Sequence, residues 1–480
     1  MPDTTASVRP DAATASSPIL QFGPEHAAAL IARIEQVPTS RWHIRARVII
    51  GSATFFDAFN ALSIAFVLPV LVREWHVTAP QIGIMIGASY LGQVVGALAF
   101  TKAAERWGRI PCAAAATAIF AVMGLACAGA WSFDVLLACR FLQGIGVGGE
   151  MPVAAVYISE LSKARGRGRF FLLYEMIFPI GLMVTGQVAA LLVPLFGWQT
   201  MFLIGGVPGL LIAFLLLGLP ESPRWLIGRG RFAEAEAVVS QMEAAAGRAG
   251  VVVGGQGPAG LQPAALPPAV PVSPKTRGSW GELLSPAFRG RTLVVWVLWA
   301  SAFLIANSLN NWMPTLYTTV YHLSLAEALR AASMTNVAQV VLLLFCAMLI
   351  DRTGRKYWMM GTFGLGAILL SILAFGGTHN VSWVIILITL SYGLIGSNNA
   401  VVYLYTPEIY PTRLRAIGTG VATSWLRVAS ALGPSLMGFM LGSGGIVSVF
   451  LMFAGVAVVG LVASSRMIET RNLRLEDIAR

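Results

Sequence analysis

Three charged signatures recur in one order at nearly one spacing, and this restricts the chain to a duplicated architecture. Glu105-Arg106-Trp107-Gly108-Arg109 returns as Asp351-Arg352-Thr353-Gly354-Arg355. Glu160, followed by Arg165 and Arg167, returns as Glu408, followed by Arg413 and Arg415, and Glu221-Ser222-Pro223-Arg224 returns as Glu469-Thr470-Arg471. The offsets are 246, 248 and 248 residues. One match could be chance, whereas three in order identify two copies of one half. Between the signatures run apolar stretches near 48–71, 82–100, 110–130, 134–158, 170–193, 199–219, 292–315, 331–350, 357–376, 382–405, 414–441 and 446–465, six in each half. Roughly 20 apolar residues cross a bilayer as a helix, and lipid admits no open backbone. The short alternating strands of a membrane barrel are absent from the sequence. We therefore expect an all-α integral membrane protein of twelve transmembrane helices in two pseudo-symmetric six-helix bundles. Alternating-access transporters are built from such repeats.

Composition agrees with this reading, since 11% charged residues in a 480-residue chain of mean hydropathy +0.72 cannot cover a water-facing surface. The net charge of +11 raises the question of a polyanionic partner. Its placement answers it: with the amino terminus inside, Arg9, Arg33, Arg41, Arg45, Arg47, Lys102, Arg106, Arg109 and the 163–169 run fall on the cytoplasmic side. Only Arg73 and Arg330 fall opposite. The basicity reports orientation, and no nucleic-acid partner is expected. The first 40 residues hold no apolar core of a cleavable signal, so the first span is expected to act as its own insertion signal. Cys112, Cys127, Cys139 and Cys346 lie in apolar spans without metal or disulfide spacing. The organisation expected is a cytoplasmic segment 1–46 with a short helix over Pro24 to Val37, an amino-terminal bundle 47–219, a linker 220–290, a carboxyl-terminal bundle 291–466 and a cytoplasmic tail 467–480. Within the linker a helix over Arg229 to Ala246 precedes a Gly, Ala, Val and Pro tract, 247–274, that reads as flexible. Asn380-Val381-Ser382 matches a glycosylation sequon but lies too close to a span to be read as more than chance. Trp42, Trp131, Trp198 and Trp383, at span ends, are expected in the interfacial belt.

The loop pairs resemble the signatures of the major facilitator superfamily over essentially all of residues 47–478. Arg140-Phe141-Leu142-Gln143-Gly144-Ile145-Gly146-Val147-Gly148-Gly149-Glu150, the run from Pro220 to Leu226 and Pro407-Glu408-Ile409-Tyr410-Pro411 resemble its sugar-porter-related members. Gly149-Glu150 together with Arg427 most resembles the niacin-transporter and synaptic-vesicle-glycoprotein branch, to which organic-ion transporters are also similar. The resemblance implies a secondary transporter and no enzymatic activity. It departs from sugar porters at the fifth-span and seventh-span Gln positions, which fall near Leu182 and in Trp296 to Ile305, where no Gln occurs. A pocket without those amides lacks the partners a hexose needs.

An ionised side chain at mid-membrane costs about 3 kcal/mol, so each needs a partner or a purpose. Asp57, Arg140, Glu150, Glu175 and Arg427 fall within spans. In resembling proton-coupled transporters an acid at the Asp57 position faces an Arg at the Arg140 position, so Asp57, Arg140 and Glu150 are assigned to proton coupling. The alternative is a static buried pair. Arg427 follows Thr423 and Ser424 on one helix face and suits a small carboxylate, bound bidentately. A salt bridge to Glu150 is its alternative. Asn307, Asn310, Asn311, Trp312, Asn336, Gln339, Asn398, Asn399, Tyr403 and Trp425 lie at similar depth, and with Arg427 they describe a pocket for a small aromatic anion. Glu105, Arg109, Glu160, Asp351, Arg355, Glu408 and Arg415 are assigned to gating, with Glu105 or Asp351 accepting hydrogen bonds from a helix amino end and the arginines bridging to Glu160 and Glu408. The Gly144 to Gly149 run, mid-membrane and without a following Lys, is close helix packing and not a nucleotide loop. The function expected is proton-coupled import of a small aromatic or heterocyclic carboxylate, nicotinate foremost, by a monomer in the cell inner membrane, with no cofactor beyond the proton and no metal. Competing readings are a sugar, polyol or organic-cation carrier and a non-transporting receptor-like protein.

Overall fold

The structure, a computed structural model, describes residues 24–161, 176–247, 280–376 and 380–471; the side chains of Pro24, Glu25, Trp280 and Asp351 and of residues 412, 413, 415 and 416 also lie outside that description. The helices are α1 (Pro24–Gln36), α2 (Arg41–Trp75), α3 (Ala79–Trp107), α4 (Arg109–Ala128), α5 (Phe133–Leu161), α6 (Ile177–Phe196), α7 (Gln199–Leu217), α8 (Pro223–Gly228), α9 (Phe232–Gly247), α10 (Arg289–Thr319), α11 (Leu325–Thr353), α12 (Arg355–Gly376), α13 (Val381–Glu408) and α14 (Thr412–Ser465). Eleven of them are long and apolar enough to cross a membrane. The last, of 54 residues, is two helices joined at a kink. Gly445 breaks it with φ 69° and ψ −172°, a backbone only glycine adopts without strain. The two pieces correspond to the eleventh and twelfth stretches of the sequence.

Local chemistry fixes the ends. Ser324 and Glu327 cap α11 reciprocally, Ser324 N donating to Glu327 Oε2 at 3.1 Å and Glu327 N to Ser324 Oγ at 3.4 Å. Asn380 caps α13, its Oδ1 accepting from Ser382 N and Trp383 N at 3.0 and 3.3 Å, which gives the sequon asparagine a structural task. The repeated Gly108 and Gly354 have φ of 108° and 87°. A Cβ on either would collide with the carboxylate of Glu221 or Glu469, so the turn needs glycine twice over.

Helices α3 and α5 touch backbone to backbone. A Cβ on Gly144 or Gly148 would land on the carbonyls of Ser89 or Gln93, and one on Gly92 or Gly96 on those of Phe141 or Ile145. This is the close approach that the glycine run announces. Among the described residues the tight contacts between halves lie away from α1. A Cβ on Gly83 would stand 2.8 Å from Pro434 O, and on Gly87 3.0 Å from Ala431 O. Ser435 Oγ donates to Gly83 O at 3.2 Å. A Cβ on Gly186 would lie 2.9 Å from Ser333 Cβ. Further toward the α1 side, Tyr403 and Trp425 each keep 37% of their surface accessible. Among the described residues, the tight contacts between halves thus gather at one end.

Helix α1 docks on the linker helix α9, with Leu30, Ile34 and Val37 packed against Val239 and Met242. Arg33 reaches Glu243 at 2.8 Å and Glu236 at 3.2 Å, and Glu35 pairs with Arg224. The helix expected from the sequence is therefore part of a small bundle. Trp198 departs from the interfacial expectation: it is buried, its Nε1 donating to Glu74 Oε2 at 3.2 Å, and it packs edge-on against Trp75.

Candidate substrate and coupling site

Asp57, Glu150 and Arg427 come from α2, α5 and α14, roughly 20 Å from the α1 face by helix rise. Asp57 and Glu150 are fully buried and Arg427 is half-buried. Glu150 and Arg427 act electrostatically on Asp57, and Asp57 and the neutral phenol of Tyr403 act on Arg427. Glu150 Oε1 accepts from Thr54 Oγ1 at 3.0 Å, and Thr54 lies one turn before Asp57. Asp57 Oδ1 and Arg427 Nε have no hydrogen-bond partner among the described residues. Two acids of one half thus face a cation of the other.

Arg140 does not join them. Its Nη1 donates to Asn60 O at 3.1 Å and to Gln143 Oε1, and its Nη2 donates to Ala61 O at 3.4 Å. Gln143 Nε2 in turn donates to Asn60 Oδ1 at 3.0 Å. The expected Asp57–Arg140 pair is not formed, because a five-donor fork can be satisfied by carbonyls and amides that a sequence pattern does not reveal. Asn60 completes the knot by donating to Phe56 O and, across to α7, to Gly205 O.

The carboxyl-terminal half supplies aromatics. Trp299 stacks on Phe303 with centroids 5.5 Å apart, Tyr403 meets Trp299 edge-on at 4.5 Å, and Trp296 lies 5.6 Å from Trp425. Trp296, Trp299 and Phe303 were not among the expected pocket residues, although their i, i+3, i+7 spacing on one helix face was a usable signal. Asn307 donates to Ser430 Oγ at 2.5 Å, one turn along α14 from Arg427. Asn311 donates to Tyr90 OH at 3.2 Å, a polar bond between halves, and keeps a buried Oδ1 without a partner among the described residues.

Other expected residues are used elsewhere. Trp312 is fully buried and donates to Pro434 O at 3.2 Å near the sealed end, so it is packing and seal. Asn398 Oδ1 accepts from Thr362 at 2.8 Å, joining α12 to α13. Asn336 donates to Ala332 O, and Tyr392 OH donates to Gln339 Oε1 at 2.6 Å, which places both residues in a network within one half. Asn310 is buried, while Asn399, half-buried, keeps an Oδ1 without a partner among the described residues.

The gating assignments resolve into two similar braces. Arg109 pairs with Glu105 at 2.9 Å and Glu160 at 3.1 Å, and Arg355 pairs with Glu408 at 3.3 Å. Each pair lies within one half, so it binds helices of that half and does not bridge the two halves. The acid at the helix amino end is Glu221, not Glu105: its Oε2 accepts from Ile110 N at 3.2 Å, and burial pushes its carboxyl up against the pull of the backbone N–H groups. Glu469 does the same for α12, accepting from Arg355 N and Lys356 N at 3.1 Å. A reaching acid from a distant segment cannot be told from a neighbouring one by spacing. Asp351 and Arg415, like Glu175, lie outside the described side chains.

Two matched bundles sealed at one end, with ionisable groups at their seam, define a membrane transporter of the major facilitator superfamily. The chain belongs to the family described as "Sugar (and other) transporter", whose profile matches residues 48–480. It is 32% identical over 458 residues to the niacin transporter NiaP of Acinetobacter baylyi, covering 94% of this chain and 99% of that one. It is 25% identical to the 4-hydroxybenzoate transporter PcaK of the same organism, covering 92% and 94%. Among solved structures, the partially occluded inward-open xylose transporter XylE from E. coli superposes with a TM-score of 0.67 at 18% identity, over 91% of this chain and 100% of that one. That last likeness bears on fold alone.

Proposed function

We propose that the protein is a proton-coupled symporter that imports a small aromatic carboxylate, nicotinate foremost, across the cell inner membrane. The observation that carries this reading is Arg427, a guanidinium at mid-depth whose Nε has no hydrogen-bond partner among the described residues, in the half that also carries the aromatic group of Trp296, Trp299, Phe303, Tyr403 and Trp425. A planar fork matches a carboxylate, and ring faces hold a flat ring. The names of NiaP and PcaK, both carriers of aromatic acids, support the substrate class. The basic residues on the α1 face support its being cytoplasmic, with both termini there. The described state is then inward-open, and the Tyr90, Asn311 and Gly83 contacts form the outer seal.

One proton carried with one monoanion moves no net charge, so the pH gradient drives uptake and the membrane potential does not. Proteoliposomes tested with radiolabelled nicotinate, 4-hydroxybenzoate, xylose and choline should accumulate the aromatic acids only, and faster with acid outside. Substrate-evoked current at symmetric pH would contradict the stoichiometry, and accumulation of xylose instead would remove the substrate class.

A further inference from the structure

We propose that Gln339 sets the selectivity of the site among aromatic acids: its amide nitrogen donates to an acceptor atom carried on the substrate ring, such as a pyridine nitrogen. The inference rests on the aromatic-carboxylate reading above and deepens it by saying which ring is preferred. Tyr392 OH donates to Gln339 Oε1 at 2.6 Å, a bond that occupies only the carbonyl side of the amide. It holds the amide with its nitrogen turned away from the phenol. Nε2 makes no hydrogen bond among the described residues, and in this half-buried side chain it remains accessible.

Helix faces show where that donor looks. The exposed side of α11 carries Met334, Val341, Phe345 and Met348, and Gln339 falls on the opposite side, toward the bundle interior. On α13 the exposed residues Trp383, Ile386 and Leu390 share one side, whereas Tyr392, Gly396, Asn399 and Tyr403 follow at i, i+4, i+7 and i+11 on the other. Gln339 lies over Gly396, where a Cβ would stand 3.1 Å from Nε2, so the missing side chain gives the amide its room. Tyr403, two turns further along this stripe, meets Trp299 edge-on at 4.5 Å. The donor therefore stands at the end of a stripe that begins in the aromatic group. Counted along the helices from the bond between Asn307 and Ser430, Arg427 and Gly396 come within about one turn of each other in depth. A flat acid with its carboxylate on Arg427 has its ring at the level of Gln339.

The energetics say why a placed donor matters. Benzoate has no polar ring atom to strip of water, whereas a pyridine nitrogen does, so an apolar pocket alone would favour benzoate. A donor waiting on the protein reverses that order, because the ring that lacks an acceptor now leaves the amide hydrogens unpaired. Tyr392 acts as a positioning residue: without its hydroxyl the amide is free to turn and the donor loses its aim.

Calorimetric titration of the purified full-length protein with benzoate, picolinate, nicotinate and isonicotinate moves one nitrogen around one ring. At least one of the three pyridine acids should bind roughly tenfold more tightly than benzoate. Gln339→Met keeps the length of the side chain and loses the donor, so it should bring that acid down to the benzoate level, and Tyr392→Phe should narrow the ratio in the same direction. The ratio is the readout, since a merely structural loss would weaken all four acids alike. Equal binding of all four by the wild type, or an unchanged ratio in folded Gln339→Met, overturns the proposal. Should that variant fail to fold, Gly396→Ala, which presses a methyl against Nε2, takes its place, and an unchanged ratio there is equally fatal. Failure of all four acids to bind removes instead the carboxylate reading beneath, and the proposal with it.

Discussion

At the α1 face the two halves are built alike. Tyr157 OH donates to Pro220 O at 2.8 Å, and 248 residues later Tyr405 OH accepts from Ile468 N at 3.1 Å, joining the equivalent helix and strap. Glu221 and Glu469 cap equivalent helices, and Arg109 and Arg355 pair with Glu160 and Glu408. Halfway through the bilayer the halves diverge. At the same offset Arg140 becomes Ile388, Gln143 becomes Ser391 and Glu150 becomes Asn398, while Arg427 answers to Pro179. The acids reside in one half and the accessible cation with its aromatic group in the other. The copies thus share the parts that hold helices together and divide the parts that handle ions. A transporter must keep both halves rigid and needs one cargo site between them, so duplication of the first set and division of the second fit the task.

The two membrane arginines are the sharpest break in this comparison. Arg427→Ala removes a bidentate, charge-assisted pair worth about 3 kcal/mol, so nicotinate affinity should fall roughly 100-fold while the melting temperature holds. Arg140→Ala should behave oppositely. It takes the guanidinium bonds from Gln143 Oε1 and from the Asn60 and Ala61 carbonyls and leaves a cavity in a buried site, lowering stability by about 3 kcal/mol, and whatever protein survives should bind normally. Thermal melting and calorimetry on both variants decide the matter; equal binding losses would mean that both arginines touch substrate.

Why the ends of the molecule were legible and the middle less so is a matter of what sequence encodes. Glycine at a positive φ, a cation after a helix start and apolar runs of bilayer length each have a local cause, so the repeat, the spans and the close packing at Gly144 to Gly149 could be read from residue type and spacing. The braces were read in part: Arg109 and Glu160 do pair, whereas the acid at the helix end proved to come from Glu221, more than a hundred residues away. Inside the bundle, direction decides. Asp57 and Arg140 are placed to meet by family pattern, yet one turn of helix rotation sends Arg140 to carbonyls, and Trp312 and Asn398 to neighbouring helices, while Trp296, Trp299 and Phe303 gather unannounced.

The seal between halves offers a smaller effect that tests their independence. A side chain at Gly87 meets the Ser435 hydroxyl, which can turn away, and the Ala431 carbonyl at 3.0 Å, which cannot move without parting α3 from α14. Gly87→Val should therefore disfavour the described state by about 1.4 kcal/mol, a tenfold shift toward the state open on the far face. Labelling by a membrane-impermeant thiol reagent of Asn311→Cys, with the native cysteines replaced, should quicken about tenfold from that face. An unchanged rate would mean that the seal is not what holds this state.

The smallest effect concerns the parts the halves share. Tyr157 and Tyr405 each spend one hydroxyl on tying a strap to a helix, one as donor and one as acceptor. Removing either oxygen leaves the ring in place and loses a single hydrogen bond, worth about 1 kcal/mol. Tyr157→Phe and Tyr405→Phe should lower the melting temperature by similar small amounts, and the double variant should lose their sum, since the two ties lie in separate bundles without a shared partner. Nicotinate affinity and its pH profile should not move. If Tyr157→Phe were silent and Tyr405→Phe costly, the straps would not be equivalent. The linker bundle of α1, α8 and α9, which among the described residues lies beside the first half, would then be what replaces the missing bond, because Arg224 already anchors the same strap through Glu160 O at 2.8 Å and through Glu35.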